Sequence, residues 1–219
     1  MATRIKIGLL DNGVAGEPAQ RVVDVHDIVN AAKAPVVGNH GTAIATIIVA
    51  LAPQASLYDA RVFPEKGLAT PAALAHGLDW LVEQDVELVN VSLGLRDDRD
   101  VLRTACARAA ERGLLLIAAA PAQGPAIYPS AYPGVIRVTG DARCAPRDYA
   151  WLDTQQATFG ACVGTMDHAP GRPGGGASYA VAHVTGELAR LRTTGVTADG
   201  LVSQLRSQCA YFGPEKRQQ

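Results

Sequence analysis

The chain has 219 residues, a hydrophobic content of 48%, a charged content of 19% and a formal net charge of −1. This length is sufficient for one domain with a full hydrophobic core. The near-neutral charge without Lys or Arg runs argues against a nucleic-acid or anionic-membrane partner, and no apolar run reaches the roughly 20 residues that a membrane span needs.

Strand and helix patterns alternate along the chain. We predict a strand at 5–10, a strand or helix at 21–28 and a helix at 41–51. Further strands are predicted at 56–63, 88–93, 114–120 and 134–139. Further helices are predicted at 71–84, 97–112, 178–192 and 198–208. Continuous apolar strands between helices favour an α/β fold in three layers, with a mostly parallel sheet flanked by helices on both faces. We expect a single domain over residues 1–219, loops with short strands at 141–176, and frayed residues after about 209.

The four cysteines are widely spaced and form no CxxC pair, which predicts neither a metal site nor a redox site. The first residues, MATRIKIGLLD, are too short and too polar for a secretory signal. We therefore expect a cytoplasmic protein without a metal or another cofactor.

Three short motifs carry chemically useful side chains beside glycine. They are LLDNG with Asp11, NHGTAIA with His40 and GGGASYAVAHVTG with Ser178. The order Asp, His, Ser is one of the chain orders known for the serine-hydrolase triad. Taken singly, each motif also fits a structural role, namely a turn at Asp11, a helix cap or satisfied polar residue at His40, and an N-cap at Ser178.

Six segments in this order resemble the subtilisin-like serine peptidases, or subtilases, from about residue 5 to residue 191. They are LLDNGV, HGTAIATIIVALAPQASLYDARVF, LVNVSLGL, LLLIAAAPAQG, IYPSAYPGVIRVTG and GASYAVAHVTGELARL. The resemblance implies a subtilisin-like fold, with Ser178 as nucleophile, His40 as general base and then acid, and Asp11 orienting His40. It also implies that an edge formed by Ser92, Leu93 and Gly94 pairs with a substrate backbone.

The chain departs from the family pattern where the oxyanion is held. Ala122 stands where the family has an asparagine, and Ala177 stands where a threonine precedes the serine. Alanine has no side-chain donor, and a missing oxyanion donor slows catalysis. Gln123, one position away, carries an amide that could substitute.

Three functions remain open. The first is an intracellular serine endopeptidase that cleaves an extended peptide through an acyl-enzyme, slowly because of Ala122. The second is a catalytically impaired peptide-binding or scaffold protein with a partner subunit. The third is a nucleotide-binding protein, suggested by Gly174, Gly175 and Gly176, but no GxGxxG follows the first strand. The expected partner is a peptide or protein substrate.

Overall fold

The computed structural model describes residues 4–29, 36, 38–65 and 68–215. Its strands are β1 (Lys6–Asp11), β2 (Val22–Asp27), β3 (Ser56–Arg61), β4 (Leu88–Val91), β5 (Leu115–Ala119), β6 (Ile136–Gly140), β7 (Tyr149–Trp151), β8 (Phe159–Ala161) and β9 (Tyr211–Phe212). Its helices are α1 (His40–Leu51), α2 (Pro71–Glu83), α3 (Asp100–Glu111), α4 (Ala177–Thr193) and α5 (Leu201–Ser207). Short 3-10 helices lie at Glu17–Arg21 and Ala198–Gly200.

Within the described ranges, nine strands form one sheet in the order β2-β3-β1-β4-β5-β6-β8-β7-β9. Neighbouring strands from β2 to β8 run parallel, β7 is antiparallel to β8, and β9 is parallel to β7. The carboxyl ends of β1, β4, β5 and β6 therefore meet at one edge of the sheet, which is where functional groups gather in such folds.

Helices cover both faces of this sheet, so the predicted three-layer α/β fold is confirmed. Successive residues of β1 point to opposite faces, and Leu9 and Leu10 belong to different buried clusters. The cluster of Leu9 contains the buried faces of α1, α4 and α5, and the cluster of Leu10 contains those of α2 and α3.

Two glycines allow the helices to approach closely. A Cβ at Gly77 of α2 would lie 2.6 Å from Cδ2 of Leu10, and one at Gly186 of α4 would lie 2.9 Å from Cβ of Leu51. Both spacings are too short for a side chain. These contacts fix α2 against β1 and α4 against α1.

Three segments refine the predicted elements. Helix α3 starts at Asp100 and not at 97, because Asp98 accepts a 2.8 Å hydrogen bond from the Tyr132 hydroxyl outside the helix. Residues 21–28 are resolved in favour of a strand, β2, which pairs with β3. The predicted helix at 198–208 is the second 3-10 helix followed by α5.

The segment after about 209, where we expect fraying, pairs with the sheet at residues 210–213. The N–H groups of Ala210 and Gly213 donate to the carbonyls of Tyr149 and Trp151 at 2.9 and 2.8 Å, which places β9 beside β7. These backbone bonds join segments about 60 residues apart, so local sequence patterns do not predict them. The remaining residues, 216–219, lie outside the described part of the chain.

Candidate active site

Asp11 and His40 form a hydrogen-bonded pair at the carboxyl edge of the sheet. Asp11 is the last residue of β1 and is 1% exposed, and His40 is the first residue of α1. The imidazole Nδ1 lies 2.9 Å from each of the two Asp11 carboxylate oxygens. Since a carboxylate only accepts, Nδ1 carries the proton, and in the neutral ring Nε2 is left as an acceptor.

The turn that carries Asp11 is fastened to the start of α1. The Asn12 side chain accepts a 2.9 Å hydrogen bond from the N–H of Gly41, and the N–H of Asn12 donates to Asp11 at 2.8 Å. A Cβ at Gly41 would lie 2.5 Å from the carbonyl oxygen of Gly13, so only glycine allows this approach. The DNG and HG pairs of the sequence thus act together to position Asp11 and His40.

The pKa of His40 is raised above 6.5, chiefly by its hydrogen bond to Asp11. Partial burial opposes this increase, and the negative charge of Asp11 adds to it. The His40 side chain remains 39% exposed, so the ring is accessible to a reactant. A base of this kind gains strength from its carboxylate while staying accessible.

Ser178 lies at the second position of α4, directly after the Gly176 turn at φ 77°. Its hydroxyl donates a 2.9 Å hydrogen bond to the carbonyl oxygen of Ser92, and the Ser92 hydroxyl donates back to the carbonyl of Ser178 at 3.2 Å. These bonds join the start of α4 to the end of β4. The N–H groups of the first helical turn have no partner inside the helix, and they can face a developing negative charge.

The structure does not join all three predicted triad residues. Among the described hydrogen bonds, His40 bonds to Asp11 and Ser178 bonds to Ser92, with none between His40 and Ser178. The Asp11–His40 pair nevertheless lies next to the start of α4. The ring of Tyr179, the residue after Ser178, meets the His40 ring edge-on with centroids 6.5 Å apart. Because a hydroxyl has one hydrogen, Ser178 must release the Ser92 carbonyl before it can donate to His40.

The predicted oxyanion region has no obvious side-chain donor. Ala122 follows β5 in an exposed segment, and Ala177 packs at the border of the core as the first residue of α4. The exposed Gln123 side chain makes no hydrogen bond to another described residue, and it lines a cavity together with Ala122. Its amide is therefore available, but the structure does not direct it to Ser178.

The predicted substrate edge leaves the sheet directly after β4. Ser92 is buried, Leu93 is partly buried and Gly94 is exposed. The next residue, Leu95, forms an antiparallel bridge with Tyr128, with N–H···O distances of 2.7 and 2.8 Å. This bridge lies directly after residues 92–94, the segment predicted to pair with a substrate backbone.

The sequence analysis missed two supporting features of the site, and the first is a buried pair of polar residues. Asn90 and Thr185 are fully buried and 95 residues apart, and they form a 3.1 Å hydrogen bond. Asn90 in turn donates to the Ser92 hydroxyl at 2.8 Å, so the chain of bonds reaches Ser178. A polar residue inside the apolar run LVNVSL was the available signal.

The second missed group is Asp59, a buried acid of β3. One of its oxygens accepts from the N–H of Val14 and from Nε of Arg61, both at 3.1 Å, and burial raises its pKa. Because Val14 follows the turn at Asp11, the hydrogen bond from Val14 to Asp59 ties that turn to β3. The charge inside the apolar strand SLYDARVF was the signal here.

The described residues contain no cluster of His, Cys, Asp or Glu able to hold a metal ion. All four cysteines are buried and unpaired. His183 is also buried, and its Nε2 donates to the carbonyl of Gly164 at 2.8 Å. No helix in the described ranges has the length and apolarity that crossing a membrane requires.

Sequence comparison identifies the family of the chain. A sequence model of the Subtilase family matches residues 3–199. Minor extracellular protease Epr of Bacillus subtilis (strain 168) is 31% identical over 148 residues, which cover 62% of this chain and 23% of that protein. Subtilisin E of the same strain is 27% identical over 244 residues, covering 96% of this chain and 62% of that protein. The chain thus spans less than two thirds of the length of these relatives.

Solved structures agree on the fold. A cold-adapted subtilisin-like serine proteinase superposes with a TM-score of 0.72 at 21% identity, covering 94% of this chain and 84% of its own. A mutant of the protease domain of PatA gives a TM-score of 0.64 at 21% identity, with 88% and 80% covered. The family model covers nearly the whole chain, and the site lies at the carboxyl edge of the sheet described above. This chain therefore belongs to the subtilase family of serine peptidases.

Proposed function

We propose that the chain is a serine endopeptidase that cleaves an extended peptide through an acyl-enzyme, with Asp11, His40 and Ser178 as its triad. The observation that carries this proposal is the bond of His40 Nδ1 to both oxygens of a buried Asp11. That arrangement leaves Nε2 of the neutral ring free to accept a proton. Family membership supplies independent support.

The reaction begins when Ser178 turns from Ser92 towards His40. The hydroxyl gives its proton to Nε2 while its oxygen bonds to the peptide carbonyl carbon, and Asp11 stabilises the resulting imidazolium. His40 then gives the proton to the leaving nitrogen as the C–N bond breaks. Water repeats the sequence on the acyl-enzyme and releases the second product.

The substrate lies as an extended strand along Ser92, Leu93 and Gly94 in this proposal. Its cleaved carbonyl faces the first N–H groups of α4, which act as oxyanion donors. Because Ala122 offers only a methyl group, side-chain stabilisation is missing unless Gln123 supplies it. We therefore infer slow turnover.

A second function, peptide binding without efficient cleavage, is favoured by one specific observation. The Ser178 hydroxyl is bonded to the Ser92 carbonyl and not to His40. If this arrangement persists when a peptide is bound, the chain is a binding or scaffold protein that works with a partner subunit. The extended edge at Ser92, Leu93 and Gly94 serves either function, because strand pairing uses only backbone groups.

We also propose that the protein works in the cytoplasm. The support is that Cys106, Cys144, Cys162 and Cys209 are all unpaired thiols, as is usual in a reducing compartment. Cell fractionation with an antibody to the chain tests this, and recovery in the culture medium would contradict it.

The test of activity is cleavage of a peptide library, followed by mass spectrometry of the products. The native chain should yield new peptide termini, and the matched Ser178→Ala variant should yield none. Equal product patterns from both proteins would contradict the proposal. Peptide binding by both proteins without cleavage by either would favour the scaffold function.

A further inference from the structure

Gly94, in the predicted substrate edge, lies against the side chain of Ile127. A Cβ at Gly94 would lie 2.4 Å from Cδ1 and 3.1 Å from Cγ1 of Ile127, so no side chain fits between the two residues. The residues on either side of Gly94 are directed elsewhere, since Leu93 and Leu95 pack against the cluster of Leu10. The Ile127 side chain therefore lies against the edge on a side that these two leucines do not occupy.

That side of the edge is also the side of α4. Ser92, two residues before Gly94, donates from its hydroxyl to the carbonyl of Ser178 in α4. Helix α4 packs in the cluster of Leu9, on the other face of the sheet from the cluster of Leu10. Ser92 and Gly94 are thus both directed away from the Leu10 cluster, the first towards Ser178 and the second towards Ile127.

The backbone on both sides of this contact is held in place. The carbonyl of Ile127 accepts a 2.9 Å hydrogen bond from the hydroxyl of Ser130. The next residue, Tyr128, forms the antiparallel bridge with Leu95, which itself follows Gly94. The contact between Ile127 and Gly94 is therefore built into the loop and does not require a bound peptide.

Ile127 also reaches the loop after β5. Its side chain lines a cavity of about 360 Å³ together with Pro121 and Gly124 of that loop and Arg137 of β6. Ala122, in the predicted oxyanion region, belongs to the same loop. Ile127 thus lies between the substrate edge and the oxyanion loop, and the cavity adjoins it.

We propose that Ile127 occupies the space that would otherwise receive the side chain next to the cleaved bond, so that the chain acts on peptides with Gly, Ala or Ser on the carbonyl side of that bond. The proposal rests on the proposed function in one respect, namely that an extended peptide runs along the edge and presents its carbonyl to α4. The residue with that carbonyl then lies between the edge and the oxyanion loop, beside Ile127. A larger side chain must displace Ile127, and overpacking of this kind weakens binding about 10-fold.

Peptide binding to the full-length Ser178→Ala protein tests the proposal without catalysis. One fluorescein-labelled decapeptide contains only Ala and Ser, and the other contains only Gln and Leu, so that no shift in register brings a small residue beside Ile127. Fluorescence anisotropy gives the ratio of the two Kd values. Adding Ile127→Ala should change this ratio about 10-fold in favour of the peptide with large side chains, because the adjoining cavity then opens to the edge.

Two further variants show whether the effect belongs to this contact. Ile127→Val removes Cδ1, the atom nearest to the Cβ position of Gly94, and should change the ratio in the same direction by a smaller factor. Because it keeps most of the side chain, it also decides the question if Ile127→Ala does not fold. The matched control is Ile28→Ala, which shortens another partly buried isoleucine, beside Gly77 of α2, and should leave the ratio unchanged.

Cleavage of a peptide library by proteins with an intact Ser178 gives a second readout. The products of the native chain should carry Gly, Ala or Ser at their new carboxyl termini. Ile127→Ala should add products that end in larger residues such as Leu and Gln, and Ile28→Ala should not.

The outcomes distinguish this proposal from the proposed function. A Kd ratio that is unchanged by the substitutions at Ile127, or changed equally by Ile28→Ala, overturns the role of Ile127 even if the native chain cleaves peptides. Native products that end in large residues would also overturn it. A ratio that follows residue 127 without any cleavage supports the role of Ile127 and rejects the peptidase, and failure of every peptide to bind or to be cleaved rejects both.

Discussion

The Ser178 hydroxyl donates a 2.9 Å hydrogen bond to the carbonyl oxygen of Ser92. At rest, the proposed nucleophile is therefore turned towards the substrate edge and not towards His40. A hydrogen bond of this kind contributes about 0.5–1.5 kcal/mol net, which is small beside the barrier of peptide cleavage. In the proposed function, a peptide strand binds beside Ser92, Leu93 and Gly94, so we expect its binding to affect the bond between Ser178 and Ser92.

The Asp11–His40 bond predicts a pH dependence. The raised pKa means that neutral His40, the form able to act as a base, appears as pH rises through a midpoint above 6.5. Asp11→Asn should lower that midpoint, because the hydrogen bond and the negative charge are lost while partial burial remains. The measurement is the NMR titration of the His40 Cε1–Hε1 signal, assigned with a His40→Gln variant.

The same bond affects folding stability. Since the folded pKa is raised, the stabilisation is fully present below pH 6.5 and is lost as pH rises through the folded pKa. Urea unfolding at several pH values should show the difference between native and Asp11→Asn proteins shrinking over that window. A His40 titration midpoint at or below pH 6.5 in the native protein would contradict both predictions.

The bond between Asn90 and Thr185 predicts a coupled loss of stability. Asn90→Ala leaves the hydroxyls of Thr185 and Ser92 buried without this partner, at a cost of roughly 1–3 kcal/mol in the free energy of unfolding. Thr185→Val alone leaves the Asn90 amide oxygen unpaired. The double variant should therefore cost less than the sum of the two single variants in urea unfolding. Strict additivity would show that the bond contributes nothing.

The substrate edge predicts a steric coupling between Gly94 and Ile127. A Cβ at Gly94 would lie 2.4 Å from Cδ1 of Ile127, so Gly94→Ala forces that side chain to move. We expect Gly94→Ala to lower the free energy of unfolding by only about 1 kcal/mol, because Gly94 is exposed and Cδ1 is the mobile end of the Ile127 side chain. Combining it with Ile127→Ala should cost at least ~0.5 kcal/mol less than the two single losses together. Gly113→Ala cannot serve as a control for Gly94→Ala. The backbone of Gly113 has φ 82°, so an alanine there would be strained by its backbone conformation and not by a neighbouring side chain.

The missing oxyanion donor predicts a gain of function. In subtilisin, removing the oxyanion amide lowers turnover by about 10²–10³-fold, and Ala122→Asn makes the reverse change in this chain. Turnover of a peptide substrate should rise with little change in KM. Ala122→Asp is the matched control, since it has a similar shape but no donor. An equal effect of both substitutions, or none from either, would show that residue 122 does not face the oxyanion.

The sequence predicted what depends on local patterns. The apolar run before Asp11 and the glycine after His40 are short-range signals, and the structure places both residues where the strand ends and the helix begins. The order of motifs also indicated the family correctly.

Features that depend on distant contacts were not predicted. The bond between Asn90 and Thr185 joins residues 95 apart, and β9 pairs with β7, which lies about 60 residues earlier in the chain. The resting position of the Ser178 hydroxyl depends on the Ser92 carbonyl, which every residue type provides, so no sequence motif marks it.

The central claim is that Asp11, His40 and Ser178 assemble into a working triad, and fluorophosphonate labelling followed by intact mass measurement tests it most directly. The native chain should gain one label, with a rate that rises with pH, and the folded Ser178→Ala and His40→Ala variants should gain none. Absence of labelling in well-folded native protein, or labelling that persists in Ser178→Ala, would contradict the claim.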